Sequence, residues 1–81
     1  MHNHDLITNI GKVQTTGLGR KRIARNLGLT ADCVAWCKEQ ILQSDSIERR
    51  GKNWYVKAGG AIITVNANSY TIITAHKDKK W

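Results

Sequence analysis

The chain has 81 residues and a mass of 9.1 kDa, with 13 Lys+Arg against 6 Asp+Glu, a formal charge of +7 and a pI near 9.9. That length holds one core and one domain, 1–81, and a 41% hydrophobic content is enough to fold it. No apolar run reaches the ~18 residues of a membrane span, the polar Met1–Asp5 has no apolar stretch behind it to make a signal peptide, and two cysteines cannot staple a mini-protein. What remains is a small basic module, whose expected partner is a polyanion or an acidic protein.

Residues 1–10 are either flexible or a short helix. Leu6, Ile7 and Ile10 recur at helical spacing, which places a helix over about 4–12 with Gly11 ending it. Residues 11–45 form a helical half. Thr16 reads as the N-cap of a helix through Arg20–Leu27, with Ile23 and Leu27 on one face and Gly28 as the left-handed residue after it. Gly17 and Gly19 weaken its start by ~1 kcal/mol each relative to Ala. Thr30 is the expected cap of the next helix, with Asp32 adding negative charge in its first turn. Val34, Cys37 and Ile41 form its inward stripe with Leu42 alongside, and it runs to about Gln43. Cys33 and Cys37 lie one helical turn apart and read as small buried apolar side chains in a reducing setting. Neither His2, His4 nor His76 has metal-ligand spacing to them.

From Ile47 the period switches to two, and residues 46–77 read as an antiparallel sheet. Gly51-Lys52, Gly59-Gly60 and Asn68-Ser69 are evenly spaced two-residue turns, which fix the register of a four-stranded meander. Ile47 then opposes Val56. Val56 opposes Ile63, Trp54 opposes Val65, Ile63 opposes Thr74, and Val65 opposes Ile72. One apolar face results, with Ile47, Val56, Ile63 and Thr74 in one row and Trp54, Val65 and Ile72 in the next. The same parity puts His76 on that face beside Ala61. The other face carries Asn53, Tyr55, Lys57, Thr64, Asn66 and Thr71 with Ile62 and Ile73, readable as a solvated surface or as a polar platform for phosphate and base. Residues 78–81 are a basic tail. The expected fold is α+β, with two to three N-terminal helices packed on one face of the meander.

Three basic clusters stand out: Arg20-Lys21-Arg22 with Arg25, Arg49-Arg50 with Lys52, and Lys77 with Lys79 and Lys80. Together they favour a nucleic-acid surface whose binding falls steeply with salt. The carboxylates form no cluster suited to magnesium, and no nucleophile elbow marks a serine hydrolase. RNA carries its own nucleophile, the 2′-hydroxyl, so cleaving it asks only for phosphate positioning, charge stabilisation and a proton shuttle. His76 is the histidine inside the expected fold, and it ends the last strand with Lys77 behind it and Thr71 and Thr74 before it. A different pattern competes. Arg22–Leu29 followed by Thr30 and Val34 reads like a helix-turn-helix, with the Ile47–Val56 hairpin as a wing. Its second helix would begin Ala31-Asp32-Cys33, a poor base-reading stretch, while the cations load the first helix. A basic interaction domain that recruits a protein at its sheet edge is the third reading.

Thr15-Thr16-Gly17-Leu18-Gly19, Arg22–Leu27, Gly51–Val56 and Ile63–Lys77 taken together resemble a small bacterial family that also occurs as C-terminal toxin modules of contact-dependent growth inhibition and polymorphic toxin proteins. The likeness covers about residues 11–78. Element order, size and charge are also similar to the Barnase–EndoU–Colicin–RelE group of metal-independent ribonucleases. The resemblance implies an RNA endonuclease toxin that uses no cofactor or metal and cleaves transfer RNA to a 2′,3′-cyclic phosphate. Such a toxin acts in the bacterial cytoplasm, is delivered as the tail of a secreted or surface protein, and is held in check by an acidic immunity or antitoxin protein. It implies catalytic roles for His76, Thr74, Thr71, Lys12 and Thr16, and RNA contacts from Thr15, Arg20, Lys21, Arg22, Asn66 and Lys77. Gln14 stands where the resemblance leads one to expect a histidine, which puts that position's acid–base role in doubt. Parity puts His76 and Thr74 on the helix-packed face and Thr71 and Asn66 on the opposite one, so in a flat sheet they cannot all line one site and part of this set must be wrong.

Overall fold

A computed structural model describes residues 2–29 and 32–77. The expected change of periodicity becomes a change of architecture. Three helices, α1 (His2–Thr8), α2 (Gly17–Leu27) and α3 (Cys33–Leu42), precede four strands, β1 (Ser46–Arg50), β2 (Asn53–Ala58), β3 (Ala61–Asn66) and β4 (Ile72–Lys77). The strands form an antiparallel meander in the order β1-β2-β3-β4. The fold is α+β. Helix α1 packs near β1, α3 near β2 and α2 near β4, all through one face of the sheet. Among the described residues no helix is long and apolar enough to cross a membrane.

The first helix is shorter than its spacing suggests. Asn9 ends it by donating from both its backbone N–H and its Nδ2 to the Asp5 carbonyl, at 3.0 and 2.8 Å. Gly11 then falls inside a separate 3₁₀ turn, Ile10–Lys12, instead of terminating α1. Leu6 is fully buried, whereas Ile7 is 39% exposed, so only part of the apolar set reaches the core.

Helix α2 starts and stops as its residues dictate. The Thr16 hydroxyl accepts from the Gly19 N–H at 3.0 Å, and Gly28 closes the helix with φ 67°. Helix α3 is capped differently from expectation. The Asp32 carboxylate is the N-cap and accepts from the N–H groups of Val34 and Ala35 at 3.0 and 3.3 Å. A carboxylate there satisfies free donors and complements the helix dipole at once. Thr30 lies outside the described residues. The buried row of α3 is Cys33, Cys37 and Ile41. Val34 is half-buried, and Leu42 projects outward at 53% exposure. Burial, aided by the neighbouring Cys33 thiol, pushes the Cys37 thiol up to about 12.

In the sheet, Ile47↔Val56, Val56↔Ile63, Trp54↔Val65 and Val65↔Ile72 pair as the turns require. Gly51, Gly59 and Gly60 hold the positive φ angles that the first two turns need. The third connection is wider than two residues. Asn66 and Thr71 close it, and Tyr70 sits inside it at φ 59°. Strand pairing departs from simple alternation just beyond it. A β-bulge lies where Thr64 pairs with Thr74 while Val65 pairs with Ile72, which leaves Ile73 without an opposite residue. Ile63 therefore faces Ala75, not Thr74, and Ile62 faces His76. The core fills accordingly: Trp54, Val56, Ile63, Val65, Ile72 and Ala75 from the sheet meet Leu6, Val13, Ile23, Cys33, Cys37 and Ile41 from the helical half.

Segment 13–16 fastens α2 to the outer edge of β4. Gln14 donates its N–H to the Tyr70 carbonyl at 3.1 Å, and its own carbonyl accepts from the Ile72 N–H at 2.6 Å. The Thr15 hydroxyl donates to the Ile72 carbonyl at 2.8 Å, and Asn26 Nδ2 donates to the Ala75 carbonyl at 3.3 Å. The approach is tight at Gly19, where an added Cβ would lie 2.2 Å from the Thr15 hydroxyl.

Candidate nucleic-acid interface

The bulge decides what the solvent-facing side of the sheet presents. An extra residue in one strand inverts the parity of everything after it. Thr74 and His76, which a flat sheet would turn toward the helices, share the outer face with Thr71 and Asn66. Three cross-strand rows result: Ser46, Lys57, Ile62 and His76; then Glu48, Tyr55, Thr64 and Thr74; then Arg50, Asn53, Asn66 and Thr71.

At the β1–β2 end this face dips into a pocket of about 300 Å³ lined by Ser46, Glu48, Arg50, Tyr55, Lys57 and Ile62. The Arg50 Nε donates to a Glu48 carboxylate oxygen, and the guanidinium lies 6.0 Å from the Tyr55 ring centroid. Tyr55 and Ile62 are half-buried, and Glu48, Arg50 and Lys57 are exposed. Thr64, in the middle row, is buried between its neighbours. The amide oxygen assigned to Asn53 is buried without a hydrogen-bond partner among the described residues.

His76 is exposed at the β4 end of the first row, with Nδ1 3.1 Å from the Lys77 carbonyl oxygen. Thr74 is half-buried beside Thr64. Asn66 and Thr71 share the face but are engaged by the β3–β4 connection. Asn66 Oδ1 accepts from the N–H groups of Asn68 and Ser69, and the Ser69 hydroxyl donates to Thr71 Oγ1 at 2.9 Å.

The remaining expected residues lie elsewhere. Thr15 and Thr16 use their hydroxyls to fasten and cap α2. Lys12 Nζ is 5.7 Å from the Tyr70 ring centroid, and Tyr70 packs against the buried Trp54 on the helix side. Arg20, Lys21 and Arg22 project from α2, whose Ile23 faces the core, and Arg20 is 3.9 Å from Asp32. Lys77 pairs with Ala61 in a row of the helix-packed face. The outer face thus unites His76, Thr74, Thr71 and Asn66, and does not include Lys12, Thr15, Thr16, Arg20, Lys21, Arg22 or Lys77.

Sequence reasoning passed over Ser46 and Glu48, and took Arg50 as part of a basic cluster at the first hairpin turn without placing it on this face. The signal was present: register across the Gly51-Lys52 turn places those residues directly beside Lys57, Tyr55 and Asn53. No curated protein and no solved structure matches the chain. A family model described as "Protein of unknown function (DUF3781)" matches residues 7–76, and with that coverage the chain belongs to this family.

Proposed function

We propose that the outer face of the sheet binds RNA and cleaves it without a metal ion. The observation that carries this reading is the bulge at Ile73, which sets an exposed imidazole and a threonine hydroxyl on the same face as Lys57, Tyr55 and Arg50. Cation, hydroxyls, aromatic ring and imidazole are the parts that 2′-hydroxyl chemistry needs. The neutral His76 imidazole takes the 2′-hydroxyl proton as that oxygen adds to phosphorus. The imidazolium returns the proton to the departing 5′-oxygen, leaving a 2′,3′-cyclic phosphate. Lys57 and the Thr74 hydroxyl face the negative charge that builds on the phosphate oxygens.

Transfer RNA is the proposed substrate, and the proposed biological role is a toxin acting in the bacterial cytoplasm. An acidic immunity or antitoxin protein would neutralise it by covering the same face. The helix-turn-helix alternative draws less support. The first turn of α3 offers the Asp32 carboxylate and Ala35 instead of base-reading cations, and its Cys33–Cys37–Ile41 row is committed to the core.

Incubating purified protein with transfer RNA in excess chelator tests the reading. The expected result is fragments with cyclic-phosphate ends, reduced at least about a hundredfold in His76→Ala. Intact RNA at high protein concentration, or undiminished cleavage by His76→Ala, contradicts it.

A further inference from the structure

We propose that the β1–β2 pocket is a nucleobase subsite that selects guanine. This inference rests on the RNA reading of the same face and adds a base preference to it. The cavity of about 300 Å³ is at the small end for ligand sites, a fit for one base and not for a large cofactor. Tyr55 lines it with a half-buried ring, a stacking surface that any base can use.

Selection comes from the two charged groups beside that ring. Glu48 accepts only and Arg50 donates only, and their ion pair holds the two side by side at the pocket. Guanine presents acceptors at N7 and O6 next to donors at N1–H and the 2-amino group. An arginine matches the first pair and a carboxylate the second. Adenine reverses the order, with a 6-amino donor beside a ring acceptor at N1, so the carboxylate would meet a lone pair. Uracil has one ring donor and no amino group. Cytosine has an amino group and no ring N–H.

Placement supports the assignment. Ile62 forms one wall of the pocket and is the direct cross-strand partner of His76. A base seated over Tyr55 therefore leaves its ribose and 3′-phosphate to pass Lys57 and Ile62 toward His76, whose strand adjoins that of Ile62 at a backbone spacing of about 5 Å.

Isotope-labelled protein titrated with the 3′-monophosphates of guanosine, inosine, adenosine, cytidine and uridine tests this without any cleavage. The expected result is guanosine binding at least about tenfold tighter than adenosine, cytidine or uridine, with inosine between, and amide shifts concentrated at Tyr55, Lys57 and Ile62. Glu48→Gln, an exposed substitution whose spectrum reports directly on the fold, should remove most of that preference. Affinities equal within about twofold, shifts confined to α2, or full selectivity in Glu48→Gln would each overturn the assignment. Parallel assays on transfer RNA separate the two proposals. Guanine selectivity without cleavage keeps the pocket and removes the nuclease, and cleavage without base preference does the reverse.

Discussion

Gly17 and Gly19, two residues apart at the start of α2, carry opposite constraints. Nothing lies within 4 Å of an added Cβ at Gly17, whereas one at Gly19 would meet the Thr15 hydroxyl at 2.2 Å. Thr15 could yield only by swinging its hydroxyl off the Ile72 carbonyl, to which it donates. Gly17→Ala should therefore stabilise the protein by up to ~1 kcal/mol through reduced unfolded-state entropy and better helix propensity. Gly19→Ala should destabilise it by ~1–2 kcal/mol, since overpacking outweighs propensity. Denaturant melts of the two variants check the signs.

Cys37 makes a separate prediction at the same scale. Its thiol is raised from the ordinary 9.0 to about 12, so above pH 9 the unfolded chain releases a proton that the native state retains. The stability this contributes is complete below pH 9 and is lost as pH rises from there toward 12. Cys37→Val removes the titrating group. Stability measured at pH 8 and pH 10.5 should fall less in Cys37→Val than in the wild type. Equal losses in both would contradict the burial of that thiol.

At the scale of elements, the bulge in β4 separates what the sequence made legible from what it did not. Turn residues and alternation are enough for helix order, strand order and most pairings, because each turn fixes register independently. They fail one strand later, where alternation is assumed to continue through Ile72-Ile73-Thr74-Ala75-His76. The clue lay in the core residues themselves: Ile72 and Ala75, three apart, both need burial, and a regular strand cannot turn both inward. Lys12, Thr15 and Thr16 lie apart from the outer face for a different reason. Hydroxyls and cations near glycines look like ligand contacts in a sequence, yet here the Thr15 hydroxyl fastens α2 to the edge of β4 and the Thr16 hydroxyl caps α2.

The bulge also makes an unusual deletion benign. Removing Ile73 leaves Val65↔Ile72 and Thr64↔Thr74 in place, so Thr74, Ala75 and His76 keep their faces. The shortened chain should fold and keep whatever RNA cleavage the full chain shows in the chelator assay. An unfolded or inactive product would show that the bulge has a role beyond parity. The Thr15 fastening predicts a cost instead. Thr15→Val leaves the Ile72 carbonyl without its donor and should lose ~1 kcal/mol, with the proposed RNA binding unchanged in the folded protein.

At the scale of the whole molecule, a formal charge of +7 could attract RNA to any face. The outer sheet face offers only a few cations, chiefly Arg50 and Lys57, with Lys52 at its rim. Binding through that face should therefore release few counterions. A plot of log affinity for single-stranded RNA against log salt should have a slope of roughly −1 to −3, far shallower than engagement of the whole net charge would give.

The claim on which these predictions turn is that RNA lies on the sheet face opposite the helices. Amide chemical-shift mapping with a 2′-O-methyl RNA, which keeps the bases and phosphates but lacks the attacking hydroxyl, measures this directly. Perturbations are expected at Tyr55, Lys57, Ile62, Thr64, Thr74 and His76. Perturbations confined to Arg20–Arg25 of α2, with the outer sheet face silent, would contradict it.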